Sequence, residues 1–571
     1  MRRLAAIASI LAVTTPASAW FFTPHSQEHH EAVVIGSGYG GSVSALRLGE
    51  AGIQTVVFEK GRDWSVKWPS LEANTFATLE SVVVPLLGDS RSSWLSYVCF
   101  GNIYVNELPF DKPCTINTGI LEMNSTESNH HDLSPEIRTE NVDVMVGVGV
   151  GGGSLINNGI TYRPFREGWE RSYDLEQYPY MNEVWDDLES TYFDRAEGVL
   201  NPSVIPDDIL ASKYYENVRT HHQNMIAGGY PQTNGNDEHK LHGTDLLPMT
   251  VDWDAVREEM TYQRTPSIIE GEVWWGTNSG AKNSLDKSGN YLGKAKATGN
   301  VDVRPLHTVK SISFDDNSQL YTLEIARTDK DYDVRENITV TTPNLIVSAG
   351  SLGTTKLMMA AKNQGGLPNL NEHVGSKWSN NGNTFTLRTV KDSRISQGGP
   401  AGSKSTDFDD PNATLVIENL SQKVPQLVSL DPSQSHLVGA IATIAIGVPS
   451  GEGQFGWDAA NEEVTLTWPK DASKNIYDKF FSIMEELDQY GQHEQLPIEQ
   501  AQGISVHPLG GMPIGLATDM HCGVKNYPNL YAIDGSVIPG SSALANPALL
   551  ISSMAERCID NAVDNILAQK N

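Results

Sequence analysis

The chain is poor in cysteine, with four in 571 residues: Cys99, Cys114, Cys522 and Cys558. None stands in a CxxC pair or at a metal-ligand spacing, which excludes zinc ribbons, thioredoxin-type centres and dense disulfide scaffolds, and no metal is expected. Cys99 and Cys114 form a reasonable disulfide because a short loop closes it; two free buried thiols are the equal alternative. Positive charge is scarce too. Lys and Arg number 41 against 70 Asp and Glu, a formal net charge of −29. Such a surface repels nucleic acid and anionic membranes and suits a soluble extracellular protein or a salt-rich habitat. No apolar run is long enough to span a bilayer, so no stable membrane anchor is expected. No internal repeat and no long low-complexity stretch is present.

What is present begins with a leader. Residues 1–19 carry Arg2 and Arg3, an apolar run from Leu4 to Val13 and Ala17-Ser18-Ala19, the layout of a secretory signal peptide. The length calls for at least two domains. Asn124, Asn337, Asn412 and Asn419 open glycosylation sequons that matter only in a eukaryotic host.

The most informative stretch is Val33-Val34-Ile35-Gly36-Ser37-Gly38-Tyr39-Gly40-Gly41. A β-branched run fits a buried parallel strand, and glycines follow at once. Gly36 suits the tight turn, Gly38 lets backbone approach a pyrophosphate, and Gly41 lets the next helix pack on the strand. Ser42 to Gly52 reads as that helix, whose N-terminus offers amides and partial positive charge to phosphate. Gln54 to Phe58 reads as the second strand, and Glu59 at its end can accept from a ribose. Strand, turn, helix, strand and acid in order predict a dinucleotide site.

Further on, Gly147-Val148-Gly149-Val150-Gly151-Gly152-Gly153-Ser154 with Asn157 offers free amides between apolar flanks, which suits backbone wrapped around a ligand. Val301 to Lys310, Tyr321 to Arg327 and Ile338 to Val347 read as strands. Ser348 to Ser351 and Asp534-Gly535-Ser536 are turns after strands, and Ala548 to Leu567 is a closing helix. The expected fold is α/β (α+β overall). A Rossmann-like domain is assembled from residues 28–67, 283–377 and 518–571. A mixed-sheet substrate domain takes 68–282 and 378–517, with the ligand loop 147–158 inside it. His507 sits in the rigid turn Val506-His507-Pro508-Leu509-Gly510-Gly511, and Asn546 precedes Pro547 and the closing helix. Alone, each has a plain reading, as a hydrogen-bonded turn residue and a helix cap.

Together these motifs, with Gly366-Leu367-Pro368-Asn369-Leu370-Asn371 and Ile538-Pro539-Gly540, resemble the glucose–methanol–choline flavoprotein oxidoreductases. Within that family the chain is most similar to the bacterial cholesterol oxidase type with non-covalent FAD. The resemblance runs from about Glu31 to the C-terminus. It implies FAD held by Gly36, Ser37, Gly38, Tyr39, Gly40, Gly41 and Glu59, by Gly152, Asn157, Asn158 and Ile160, by Val309, and by Asp534, Gly535, Asn546, Pro547 and Ala548. It implies that His507 and Asn546 hold the substrate hydroxyl over the flavin, and that Glu418 moves a ring proton from the Δ5 to the Δ4 position. Desolvation in an apolar pocket suits Glu418 to that role; a solvated strand face is its alternative. The partners implied are a small hydrophobic secondary alcohol, with a 3β-hydroxysteroid as the first choice, and O2, giving H2O2. The chain departs from the type at Val506, Val416 and Ala548, where an aromatic is usual, and at Ile160, where a methionine is. Those changes reshape the pocket more than the redox chemistry. Other hydrophobic alcohols, a non-oxygen acceptor, or a flavin-bound lyase or binding protein are the alternatives.

Overall fold

The computed structural model describes residues 25–64, 121–124, 137–233, 242–264, 267–271, 280–329, 332–390, 398–423, 440–491, 493–495 and 503–570. The leader, Cys99 and Cys114 lie outside the described residues.

Five short strands form a parallel sheet in the spatial order Leu530–Ala532, Leu345–Val347, Ala32–Ile35, Thr55–Phe58, Val301–Arg304. Val33, Val34, Val56, Val57, Leu345, Ile346 and Val347 are all buried. Continuous aliphatic runs of this kind are what a sheet covered on both faces demands, and each side chain contributes roughly 1.5–3 kcal/mol. Helix Tyr39–Glu50 packs between Tyr291–Ala297 and the closing helix Pro547–Lys570. Counted along the chain, the strand order is 5-4-1-2-3, the doubly wound arrangement. Its switch point falls between Ala32–Ile35 and Leu345–Val347, so the loops leaving those two strands open on the ligand crevice.

Several element boundaries differ from the sequence reading. The first helix starts at Tyr39, not Ser42, because Gly38 is already its N-cap. The strand expected over Val301 to Lys310 breaks at Pro305 and Leu306, where Leu306 has φ +60°. The run from Ile338 to Val347 breaks at Pro343 and Asn344. Proline has no N–H to donate to a ladder, and each break lets the chain change sheets. The first parts end in the parallel sheet or in a four-stranded sheet of His25–His29, Val334–Thr342, Leu320–Thr328 and His307–Asp315. Cys522 is joined to Cys558 by a disulfide, a pairing sequence spacing did not single out. Among the described residues, no helix is long and apolar enough to cross a membrane.

The second large sheet has six antiparallel strands, ordered His493–Gln495, Thr384–Val390, Ala440–Gly447, Leu415–Asn419, Ser403–Asp407, His242–Leu246. Leu415 and Ile417 face the amphipathic helix Lys474–Gly491 and pack with Ile476, Phe480 and Met484. The opposite face of the same strand packs Val416 with Phe408 and Leu544. Period-two alternation therefore sends Glu418 toward Leu544 and away from the helix.

Candidate active site

The glycine fingerprint is shaped by contacts that leave no room for side chains. Gly36 has φ +92°, and a Cβ there would stand 2.3 Å from the Ser348 carbonyl oxygen across the switch point. Gly40 and Gly41 are similarly closed off, by Ile533 O and Gly36 O. Gly38 is different. Its φ of −71° suits any residue, and among the described residues the only atom within 4 Å of a Cβ there is Gly152 Cα at 4.0 Å. Among the described residues nothing crowds a side chain at Gly38, which leaves the helix N-terminus open to a ligand. The helix is capped by no side chain, so its first amides suit an anionic group.

Glu59 has a first duty that the ribose expectation did not foresee. One carboxylate oxygen accepts from the Ser37 amide at 3.0 Å and the Ser37 hydroxyl at 2.7 Å, and the other accepts from the Gly61 amide at 2.8 Å. The acid at the end of the second strand thus braces the glycine turn. Val309 lies in His307–Asp315, two residues past His307, whose amide donates to the Glu59 carbonyl.

The second glycine loop meets the first. It leaves the strand Val142–Gly147, and a Cβ at Gly152 would stand 2.7 Å from Gly38 Cα. The Gly151 amide donates to the Ser37 hydroxyl, and the Asn157 amide nitrogen to the Tyr39 hydroxyl at 2.7 Å. Under this loop sits Lys282, fully buried, its ammonium donating to the Asn157 carbonyl. Burial holds this lysine well below the usual range, with Asp286 opposing the shift. No sequence signal marked Lys282. Among the described residues the buried Asn158 Oδ1 has no hydrogen-bond partner, and Ile160 is buried beside Met249.

Two further turns close on this cradle. Asp534 spends its carboxylate on the Ser536 and Gly350 amides and the Thr354 hydroxyl, and burial raises its pKa. It ties the turn after the fifth strand to the turn after the fourth and has no oxygen without a donor. The Gly510 amide of the His507 turn donates to the Gly535 carbonyl. The strand before His507, Gly503–Ser505, runs parallel to Val142–Gly147 and beside it. The His507 turn and the second glycine loop therefore leave neighbouring strands in the same direction.

At this junction the side chains form a directed chain of hydrogen bonds. The Val506 amide donates to Asn383 Oδ1 at 3.0 Å, which turns the Asn383 amide nitrogen toward His507 Nδ1 at 3.1 Å. Nδ1 must accept, so the neutral ring carries its proton on Nε2. Asn546 lies beside the His507 ring, where its side chain opposes the burial-driven fall of the ring's pKa. The Asn546 amide nitrogen donates to both Glu418 oxygens, at 2.7 and 2.8 Å. Asn546 does not turn back to cap the helix that begins at Pro547 and Ala548. Glu418 is fully buried and takes one more bond, at 2.8 Å, from the Tyr162 hydroxyl. Burial raises its pKa, opposed by Asn546, Tyr162 and Lys404. Burial drives His507 down to about 4, so the ring is neutral at ordinary pH. The solvated-face alternative for Glu418 is thereby removed.

Asn383 and Tyr162 are the side chains the sequence reading missed. Asn383 belongs to Asn380-Asn381-Gly382-Asn383, three buried amides in four residues, a composition that could have flagged it. Tyr162 lies five residues beyond Asn157 and carried no such signal. Elsewhere, His242, Asp407 and Asp409 stand close enough to share a cation. Tyr230 and Lys479 already meet Asp407 there.

The fold and crevice define a doubly wound nucleotide-binding oxidoreductase, and the comparisons sharpen that class. The GMC oxidoreductase family model matches residues 31–379, and the chain belongs to that family of flavoproteins. It is 24% identical to a cholesterol oxidase of Mycobacterium tuberculosis (strain CDC 1551 / Oshkosh), covering 92% of this chain and 90% of that one. It is likewise 24% identical to a cholesterol oxidase of Acinetobacter baumannii, covering 93% and 94%. A crystal structure of pyridoxine 4-oxidase from Mesorbium loti is similar in fold, with TM-score 0.59 and 13% identity, covering 93% of this chain and 99% of that one. The protein is accordingly a flavin-dependent oxidoreductase acting on CH–OH groups.

Proposed function

We propose that the protein is a secreted, FAD-dependent oxidase of a hydrophobic secondary alcohol, with a 3β-hydroxysteroid as substrate and O2 as acceptor. The observation that carries it is the pair of hydrogen bonds Asn383–His507 and Asn546–Glu418, brought side by side next to the two glycine loops. The residues fit FAD. The amides at the start of Tyr39–Glu50, with Gly38 and Gly152, would hold the pyrophosphate. The Asn157-Asn158 loop, Gly535 and the Asn546 turn would hold the flavin. When bound, FAD accepts the hydride that leaves the alcohol carbon.

The protein's own groups handle oxygen and proton. His507, neutral and bearing its proton on Nε2, donates to the substrate oxygen as negative charge builds there, and Asn546 fixes the ring's attitude. Glu418 is the proton acceptor of the site: it takes the hydroxyl proton as the hydride leaves the carbon, and gives it up to solvent before the ketone is isomerised. Its raised pKa suits it to take an α-proton from a β,γ-unsaturated ketone and return it two carbons away. The apolar face formed by Val416, Phe408 and Leu544 beside it favours a bulky apolar substrate. The small residues Val506 and Ala548 favour a second reading, a hydrophobic alcohol of another shape.

An anaerobic screen of sterols and other secondary alcohols, followed by flavin absorbance, tests this. Bleaching by 3β-hydroxysteroids, and a product with conjugated-enone absorbance, is expected. Glu418→Gln is then expected to accumulate the unconjugated ketone. Bleaching only by non-steroids selects the second reading, and none with any alcohol removes the oxidase.

A further inference from the structure

Glu418 is held from two sides, and only one of them belongs to a motif. Asn546 comes from the turn before the closing helix. Tyr162 comes from the segment that follows the second glycine loop, and its hydroxyl lies 2.8 Å from Glu418 Oε1 and 3.4 Å from the Leu544 carbonyl. The phenol has a single proton. An ionised carboxylate is the stronger acceptor, and the shorter bond goes to it. The other side of the ring carries a cation: Lys404 Nζ stands 4.0 Å from the Tyr162 ring centre. Lys404 is also the cross-strand partner of Glu418. The phenol therefore meets an ammonium at its ring and a carboxylate at its hydroxyl.

We propose that Tyr162 is a positioning residue of the active site: its hydroxyl, polarised by Lys404 over the ring, holds the Glu418 carboxylate in place as proton acceptor. The proposal rests on the reading of Glu418 given above. Its physical content is that a fully buried carboxylate needs donors, and that Asn546 alone leaves it short. The Asn546 amide nitrogen is one group shared between both oxygens. Tyr162 reaches Glu418 from a separate segment of chain and supplies a donor that does not depend on the Asn546 side chain.

The groups around Glu418 are few enough to separate. Lys404 comes from the neighbouring strand on one side, and the strand on the other side places Ile444 opposite Glu418. Tyr162 comes from the loop segment, and His507 acts through Asn546. Tyr162→Phe removes one hydroxyl and retains the ring beneath Lys404.

Two readouts test it in the flavin-loaded enzyme. The first is infrared titration of the Glu418 carboxyl band, assigned by difference against Glu418→Gln, which needs no substrate. Tyr162→Phe is expected to move its midpoint upward by about one pH unit, the loss of one charge-assisted hydrogen bond. The second is the product ratio with a Δ5-3β-hydroxysteroid. Tyr162→Phe is expected to pass more unconjugated ketone into solution, most at the acid end, with KM changed less than kcat. Flavin content equal to wild type shows that the fold is retained. An unmoved band in a flavin-loaded Tyr162→Phe protein overturns the role of Tyr162. If Glu418→Gln conjugates its product at the wild-type rate, the reading of Glu418 fails, while the band shift still reports on Tyr162 separately.

Discussion

The two sides of the crevice are made of different materials. On the parallel-sheet side the lining is backbone: glycines, most of them with neighbours too close for a Cβ, and amides at a helix start. On the antiparallel side it is side chains: a histidine, two asparagines, a glutamate and a tyrosine contributed from five distant stretches of chain. A backbone surface is specified by local composition, because turn and helix start are neighbours in sequence. A side-chain cluster is specified by sheet register and by which loops leave neighbouring strands, and neither is local.

The sharpest break of this contrast is Gly38→Val. The new side chain occupies the space beside Gly152 that the protein leaves open. Purified protein is expected to be colourless, with the side-chain cluster intact by crystallography. Yellow protein with wild-type flavin content would show that Gly38 does not face the cofactor. On the other side, His507→Ala is expected to retain flavin and slow anaerobic flavin reduction by about 10²–10³, the loss of one donor aimed at developing charge. Stopped-flow absorbance measures both quantities in one sample. A smaller change follows Asn383→Leu, which frees the His507 ring to exchange tautomers. Reduction is expected to fall by about tenfold, the loss of a single neutral hydrogen bond, and ¹⁵N chemical shifts of the ring read the tautomer directly. A ring that stays protonated on Nε2 in this variant would show that Asn383 does not set it.

The smallest effect is on stability against pH. His507 has a folded pKa of about 4, below its ordinary value. Between those values the unfolded chain binds more protons, so stability rises with pH through the window and is lost as pH falls toward 4. Glu418, raised by burial, carries the opposite slope. The melting temperature of His507→Gln is therefore expected to fall less than that of wild type between pH 6.5 and 4.5, and that of Glu418→Gln more. Equal slopes in all three would show that neither group is desolvated as drawn here.

The same contrast explains what could be read from the sequence. The fingerprint from Val33 to Glu59 was legible because strand, turn, helix and acid are consecutive. The strand Val301 to Lys310 was read too long because hydrophobic pattern continues across Pro305 and Leu306 although the backbone does not. His507, Asn546 and Glu418 were reached through resemblance, and no spacing rule connects them. Glu418 could not be given a face by its own segment, since Val416 on one side and Leu415 and Ile417 on the other are all apolar and all buried. Tyr162 was invisible because its meaning depends on Glu418, 256 positions away. The duty of Glu59 in bracing Ser37 was hidden for a simpler reason: a carboxylate that serves a ligand and one that serves a turn look alike in sequence.

The disulfide between Cys522 and Cys558 encloses the fifth parallel strand, the Asp534 turn, Asn546 and the first half of the closing helix. A cut in any loop within this ring leaves both ends covalently attached. The nicked enzyme retains its closing helix at an effective concentration set by the loop and not by dilution. Under reducing conditions the same nick releases a C-terminal fragment carrying Asn546, and activity then depends on protein concentration. The disulfide thus keeps the closing helix tethered to the parallel sheet even where the chain between them is broken.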